Sequence, residues 1–180
     1  MTMFFTLGRS KRAPGDVVDG LIECHGRIRK FIELAISLSE RVDVPAADVT
    51  VGCTMIGRYF SVTFPLHVED EERSILPRLQ GRSASLDAAL ARVHEQHDVH
   101  ESMLERFCAL TAAVRNDPRD PRARSALASI ARPLKSVLCD HLDAEEQIVF
   151  PVIREAFSAH DFKAVRREIE ARRDRADIFT

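Results

Sequence analysis

Two stretches of the chain carry the same chemistry in the same order: HVEDEERSILP, with His67, Glu71, Glu72 and Pro77, and HLDAEEQIVFP, with His141, Glu145, Glu146 and Pro151. On a helix a step of four residues advances about 400°, so His67 sits over Glu71 and His141 over Glu145. Each copy therefore points an imidazole and a carboxylate the same way. Neutral imidazole nitrogen with carboxylate oxygen is a donor set that suits first-row metals such as iron, manganese or zinc. Long apolar stripes lead into both histidines, which predicts that they face inward, where an unpaired carboxylate is costly.

The repeat is longer than the motif. Each copy is preceded by a Glu-x-His: Glu23 and His25 before the first, Glu95 and His97 before the second, with His25 standing 42 residues before His67 and His97 standing 44 before His141. That separation is the contour of one helix, a turn and most of a second helix run antiparallel, so each half-chain reads as a helical hairpin. Two hairpins predict an all-α, up-down-up-down four-helix bundle whose facing helices bring four His and two Glu to one interior point.

Elements that position these residues are visible in the apolar periodicity. Helix one is expected over roughly 16–42, helix two over 46–79 with a kink at Pro65, helix three over 85–114, and helix four from Pro121, capped by Asp120 and bent at Pro133. A loop with Ser158 and Asp161 then leads to a short fifth helix, about 162–175, whose arginines read as a solvated face. The domain expectation is an N-terminal extension over 1–15, the bundle over 16–157 and a C-terminal helix packed on it over 158–180.

Bulk properties narrow the function. A 180-residue chain is one domain, and a net charge of -2 with a pI near 6.4 gives no reason to expect nucleic acid. No apolar run approaches membrane-spanning length, and the opening MTMFFTLGRSKR is the reverse of a secretory signal, so a cytoplasmic location is expected. Cys24, Cys53, Cys108 and Cys139 lie singly, which predicts reduced thiols rather than a disulfide framework or zinc knuckle.

His25, His67 with Glu71, His97, and His141 with Glu145, followed by the aromatic-Pro step at Phe150 and Pro151, resemble the hemerythrin-like family, the HHE cation-binding domains, over nearly the whole chain. The resemblance implies a di-iron centre, bridged by two carboxylates and an oxo or hydroxo group, that binds or senses O2, nitric oxide or related small ligands, or handles iron. Carried over, His25 and His67 serve one iron, His97 and His141 the other, and Glu71 and Glu145 bridge. The pattern departs from the oxygen-carrying hemerythrins, which have His-x-x-x-His on the third helix and His-x-x-x-x-Asp on the fourth. Here Glu101 stands four residues after His97, and the fourth helix carries His-x-x-x-Glu. Glu101 is accordingly an expected extra ligand, and a harder, more electron-rich site favours O2 activation, iron handling or signalling over reversible carriage.

Other residues are assigned by contrast. His94 and His100, three residues either side of His97, are expected at the surface, and Arg29 is set against Glu101 as an ion pair. Glu72 and Glu146, about 140° off the inward stripe, belong outside the ligand set. Rival readings are a di-iron oxidase or peroxidase-like enzyme, and a metal-free helical interaction module whose histidines respond to pH.

Overall fold

The computed structural model describes residues 16–178, which form five helical rods and no strand; the expected extension, residues 1–15, lies outside the described residues. The rods are α1 (Val17–Glu40), α2 (residues 46–79), α3 (Ala84–Asn116), α4 (residues 121–156) and α5 (Ala159–Ile178). Side-chain caps fix the start of every rod but α2, which follows Pro45. Asp16 accepts from the Asp19 N–H at 2.8 Å, Ser83 from Leu86 at 3.2 Å and Asp120 from Arg122 at 2.8 Å, with Pro121 in the first turn of α4. Gly81, at φ 77°, makes the left-handed turn that reverses the chain between α2 and α3. The fifth helix starts three residues before its expected start: Ser158 and Asp161 bond each other's backbone N–H, at 2.9 and 3.2 Å, and so form a cap instead of a loop.

Each of the first four rods packs on two neighbours, α1 and α3 both lying between α2 and α4, which closes an antiparallel ring. The seam of α3 shows how sequence sets this packing. Apart from Ala89 beside Leu90, its buried or nearly buried positions are Leu86, Leu90, Val93, His97, His100, Leu104, Phe107, Thr111 and Val114, an alternation of four- and three-residue steps.

Helices α2 and α4 are not uniformly α-helical. A π turn covers Tyr59–Thr63, another Glu71–Ile75 and a third Glu145–Val149, and each is followed within two residues by a proline, Pro65, Pro77 or Pro151. Proline has no N–H and its ring crowds the carbonyl four residues back, which favours a wider turn before it. The residue before each proline instead donates five residues back: Phe64 to Tyr59, Leu76 to Glu71 and Phe150 to Glu145. The extra residue rephases the inward stripe. Three α turns from His67 or His141 would bury Arg78 or Val152, whereas the fully buried residues are Leu79 and Ile153, one place later. Pro133, by contrast, lies inside an unbroken α stretch, Pro121–Ala144.

The apolar interior consists of two clusters. One, toward the turns at 41–45 and 117–120, is built on Ile28, Ile32, Ile56, Phe107, Leu134 and Leu138. The other, toward the turn at 80–83, is built on Val18, Leu79, Leu90, Val149, Ile153 and Val165 from α5. Between them, on all four rods, lies a buried polar layer.

Helix α5 lies against α1 and the second half of α2. Its arginines are not all a solvated face. Arg172 is buried and donates to Asp70 at 2.7 Å and to Ser74 at 2.6 Å, Arg173 also pairs with Asp70, and Arg78 reaches Glu168 at 2.7 Å. Asp70 has no acidic counterpart in the second motif, where Ala144 stands in its place. The difference between the two copies marks the flank on which the fifth helix docks.

Candidate metal centre

Six side chains from four rods meet in the polar layer: His25 from α1, His67 and Glu71 from α2, His97 from α3, and His141 and Glu145 from α4. Their donor atoms fall into two groups, His25, His67, Glu71 and Glu145, and Glu71, His97, His141 and Glu145, within each of which all four atoms lie inside 4.8 Å of one another. Both carboxylates are common to both groups. Glu71 turns Oε1 toward His67 Nε2 at 3.4 Å and Oε2 toward His97 Nε2 at 3.5 Å. Glu145 turns Oε2 toward His25 Nε2 at 3.3 Å and Oε1 toward His141 Nε2 at 3.5 Å.

The inward atoms lack what buried polar atoms ordinarily have. His25 Nε2, His67 Nε2, both Glu71 oxygens and Glu145 Oε2 are sealed from solvent without a hydrogen-bond partner, an arrangement that costs about 1–3 kcal/mol for each such group. His97 Nε2 and His141 Nε2 face each other at 3.1 Å, two nitrogens aimed at one space. Cations placed among these atoms would satisfy them, so imidazole and carboxylate here fit first-row metals in both chemistry and placement.

The outward-facing ring nitrogens of His25, His97 and His141 are held as well. His25 Nδ1 meets Glu146 Oε1 at 2.9 Å, and His97 Nδ1 meets Glu72 Oε1 at 2.7 Å. The second Glu of each motif thus braces the first-arm histidine of the opposite hairpin. His141 Nδ1 meets Gln96 Oε1 at 2.9 Å. Gln96, the residue before His97, thus braces the second-arm histidine of its own hairpin, whereas Cys24, at the equivalent place before His25, sets its thiol 3.6 Å from the Tyr59 hydroxyl. Such bonds fix the ring orientation of a ligating imidazole and raise its basicity. Arg29 donates to Glu146 at 2.7 Å and to Asp143 at 2.6 Å, and so supports a brace instead of pairing with Glu101.

The ionisation pattern reflects crowding of like and unlike charge in a dry space. Burial opposes charge on Glu71, but the His67, His25 and His97 imidazoles outweigh it and hold the carboxyl well below its ordinary range. Burial likewise opposes the charged form of His25, yet Glu145 and Glu71 raise it to about 9. For His141, burial and the neighbouring His97 act together and push it down to about 3. Burial and the charge of Glu71 raise Glu145.

Expected ligand residues divide clearly. His25, His67, Glu71, His97, His141 and Glu145 are brought together. Glu101 is not: it is exposed, because the α3 seam takes a three-residue step after His97 and turns position 101 outward. That step buries His100 instead, with only 1% of its surface exposed and its ring 5.1 Å from that of His141. His94 is exposed as expected and bonds Glu72 at 2.9 Å. An open groove of about 1120 Å³ between α1, α2 and α5, lined by Cys24, Arg27, His67, Asp70 and Ile169 among others, reaches the His67 side of the layer.

The four cysteines are free thiols, and no described helix is long and apolar enough to cross a membrane. No curated protein matches the chain. The model of the hemerythrin HHE cation-binding domain matches it twice, over residues 16–120 and 93–178, the two spans overlapping along α3. With nearly every described residue matched, and four rods directing histidine and glutamate into a shared buried layer, the chain belongs to the hemerythrin HHE cation-binding family.

Proposed function

We propose that the polar layer is a dinuclear metal centre, with iron as the metal by family resemblance, and that the protein uses it to bind or sense a small ligand such as O2 or nitric oxide. His25 and His67 would hold one ion, His97 and His141 the other, and Glu71 and Glu145 would bridge; Glu101 takes no part. The observation that carries this reading is the division of each carboxylate: one oxygen for each donor group, in a layer whose inward atoms are left without protein partners.

Bound there, an iron pair supplies open coordination positions and electrons for an electron-accepting ligand. The chain's own contribution is positional. Three outer partners, Glu146, Glu72 and Gln96, fix the planes of His25, His97 and His141, two apolar clusters exclude bulk water, and the bridging carboxylates hold negative charge between the two cation positions. Two divalent cations against two carboxylates leave net positive charge, which favours an anionic or electron-accepting ligand.

Protein grown with supplemented iron should contain about two iron atoms per chain, and its oxidised form should show the absorption of a bridged diferric pair. Absence of stoichiometric metal, or equal metal in a variant combining His67→Ala with His141→Ala, would refute the centre. Bound gas should be released unchanged on evacuation. Its consumption together with reductant would assign oxidase or peroxidase chemistry instead.

A further inference from the structure

His100 departs from the internal repeat. The residue three places after His97 corresponds to the residue three places after His25, which is Ile28, fully buried in an apolar cluster. The second hairpin puts an imidazole at that position. Its ring is 1% exposed, and neither Nδ1 nor Nε2 has a hydrogen-bond partner. It stands edge-on to His141, ring centres 5.1 Å apart and planes at 86°, yet it belongs to neither four-donor group. Burying an imidazole without partners destabilises a fold, and the apolar residue used in the other half would avoid the penalty. Residues that break the local rule in this way collect at functional sites. The second donor group has such a neighbour; the first, with Ile28 beside His25, does not.

We propose that His100 grips the small ligand bound at the Glu71, His97, His141 and Glu145 group, supplying the hydrogen bond that selects a ligand with an acceptor atom, such as a small anion. This inference rests on the dinuclear reading and adds an asymmetry to it: the exogenous ligand is held on the His97/His141 side. His100 acts on the ligand and not as a cation donor.

The test uses full-length protein loaded with cobalt(II), with azide as the probe and visible absorption as the readout. Wild type and His100→Ile should both hold two cobalt ions per chain, while azide affinity falls about tenfold or more in the variant, the loss expected for a hydrogen bond to a charged partner. His100→Gln, which keeps a donor, should retain most of the affinity. The metal-free His100→Ile protein should melt higher than metal-free wild type, since the buried unpartnered imidazole is gone. Azide affinity within twofold of wild type would overturn the proposal, as would loss of one cobalt from His100→Ile, which would make the residue a ligand to the cation. Wild type that takes up no cobalt pair would refute the dinuclear centre itself, and the proposal with it, an outcome distinct from a loaded variant that binds azide normally.

Discussion

At the scale of single residues, adjacent glutamates carry different tasks. Glu71 and Glu145 point inward with unpartnered oxygens, whereas Glu72 and Glu146, one helical step of about 100° onward, reach across to the histidines of the other hairpin. Substitution should separate the two. Glu71→Ala is expected to abolish binding of the metal pair, because one carboxylate serves both donor groups. Glu72→Ala should keep two metal ions and lower affinity by about 10–100-fold, the effect of removing an outer partner of a ligating imidazole. Competition with a chelator measures both, and equal losses in the two variants would contradict the division. Much of this is legible in the sequence, since a four-residue step fixes His over Glu and a five-residue step turns the next Glu away. The fate of Glu101 and His100 is less so. A four-residue step and a three-residue step from His97 are both helical neighbours, and only the seam Leu90, Val93, His97, Leu104, Phe107 shows that position 100 completes the alternation and position 101 does not.

Among the elements, the π turns explain why each motif ends in proline ten residues after its histidine. The wide turn begins at Glu71 or Glu145, absorbs one extra residue and returns Leu79 or Ile153 to the core. Deleting the exposed Gln147 inside the third π turn should let the segment close to ordinary α-helix with Ile153 still inward, leaving a cooperative melt and His141 and Glu145 in register. Deleting the exposed Ser136, in the α stretch before the motif, should rotate one side of the site by about 100° and eliminate metal binding. Circular dichroism with metal analysis checks the pair, and a Gln147 deletion as damaging as that of Ser136 would count against the π-turn account. Helix α5 makes a separate prediction. Removing one partner from a buried ion pair costs about 3–5 kcal/mol, so Arg172→Ala and Asp70→Ala should each be strongly destabilising in urea unfolding, and less than additive together because they share the contact. Strict additivity would mean that the pair does not hold the helix. The sequence shows the amphipathic pattern of this helix but not that Arg172 is buried, because its partner Asp70 lies 102 residues away.

The described molecule is two copies of one hairpin, closed around a polar layer between two apolar clusters, with a fifth helix laid on the first copy. Doubling is what makes the fold readable from one sequence: a lone His-x-x-x-Glu is commonplace on helices, but two copies with matching spacing to an earlier histidine leave few arrangements other than a bundle. What doubling cannot reveal is where the halves differ, at Ile28 against His100, Cys24 against Gln96, and Asp70 against Ala144. Those differences carry the asymmetric contacts of the structure. On this scale a metal held in the layer would also belong to the stability of the fold. Stripping it leaves the inward atoms of the layer unsatisfied, so metal-free protein should melt well below loaded protein, with the midpoint rising as metal is titrated back. Identical melting curves would exclude a core site.

Because each hairpin's second glutamate crosses over to brace the other hairpin's leading histidine, the two halves are reciprocal and not self-sufficient. A polypeptide nicked at the 80–83 turn would yield fragments that each own an inward carboxylate but borrow an imidazole support from their counterpart. Cation capture would then track how completely the fragments reassociate, and damage to a brace in one fragment would register at a histidine of the other.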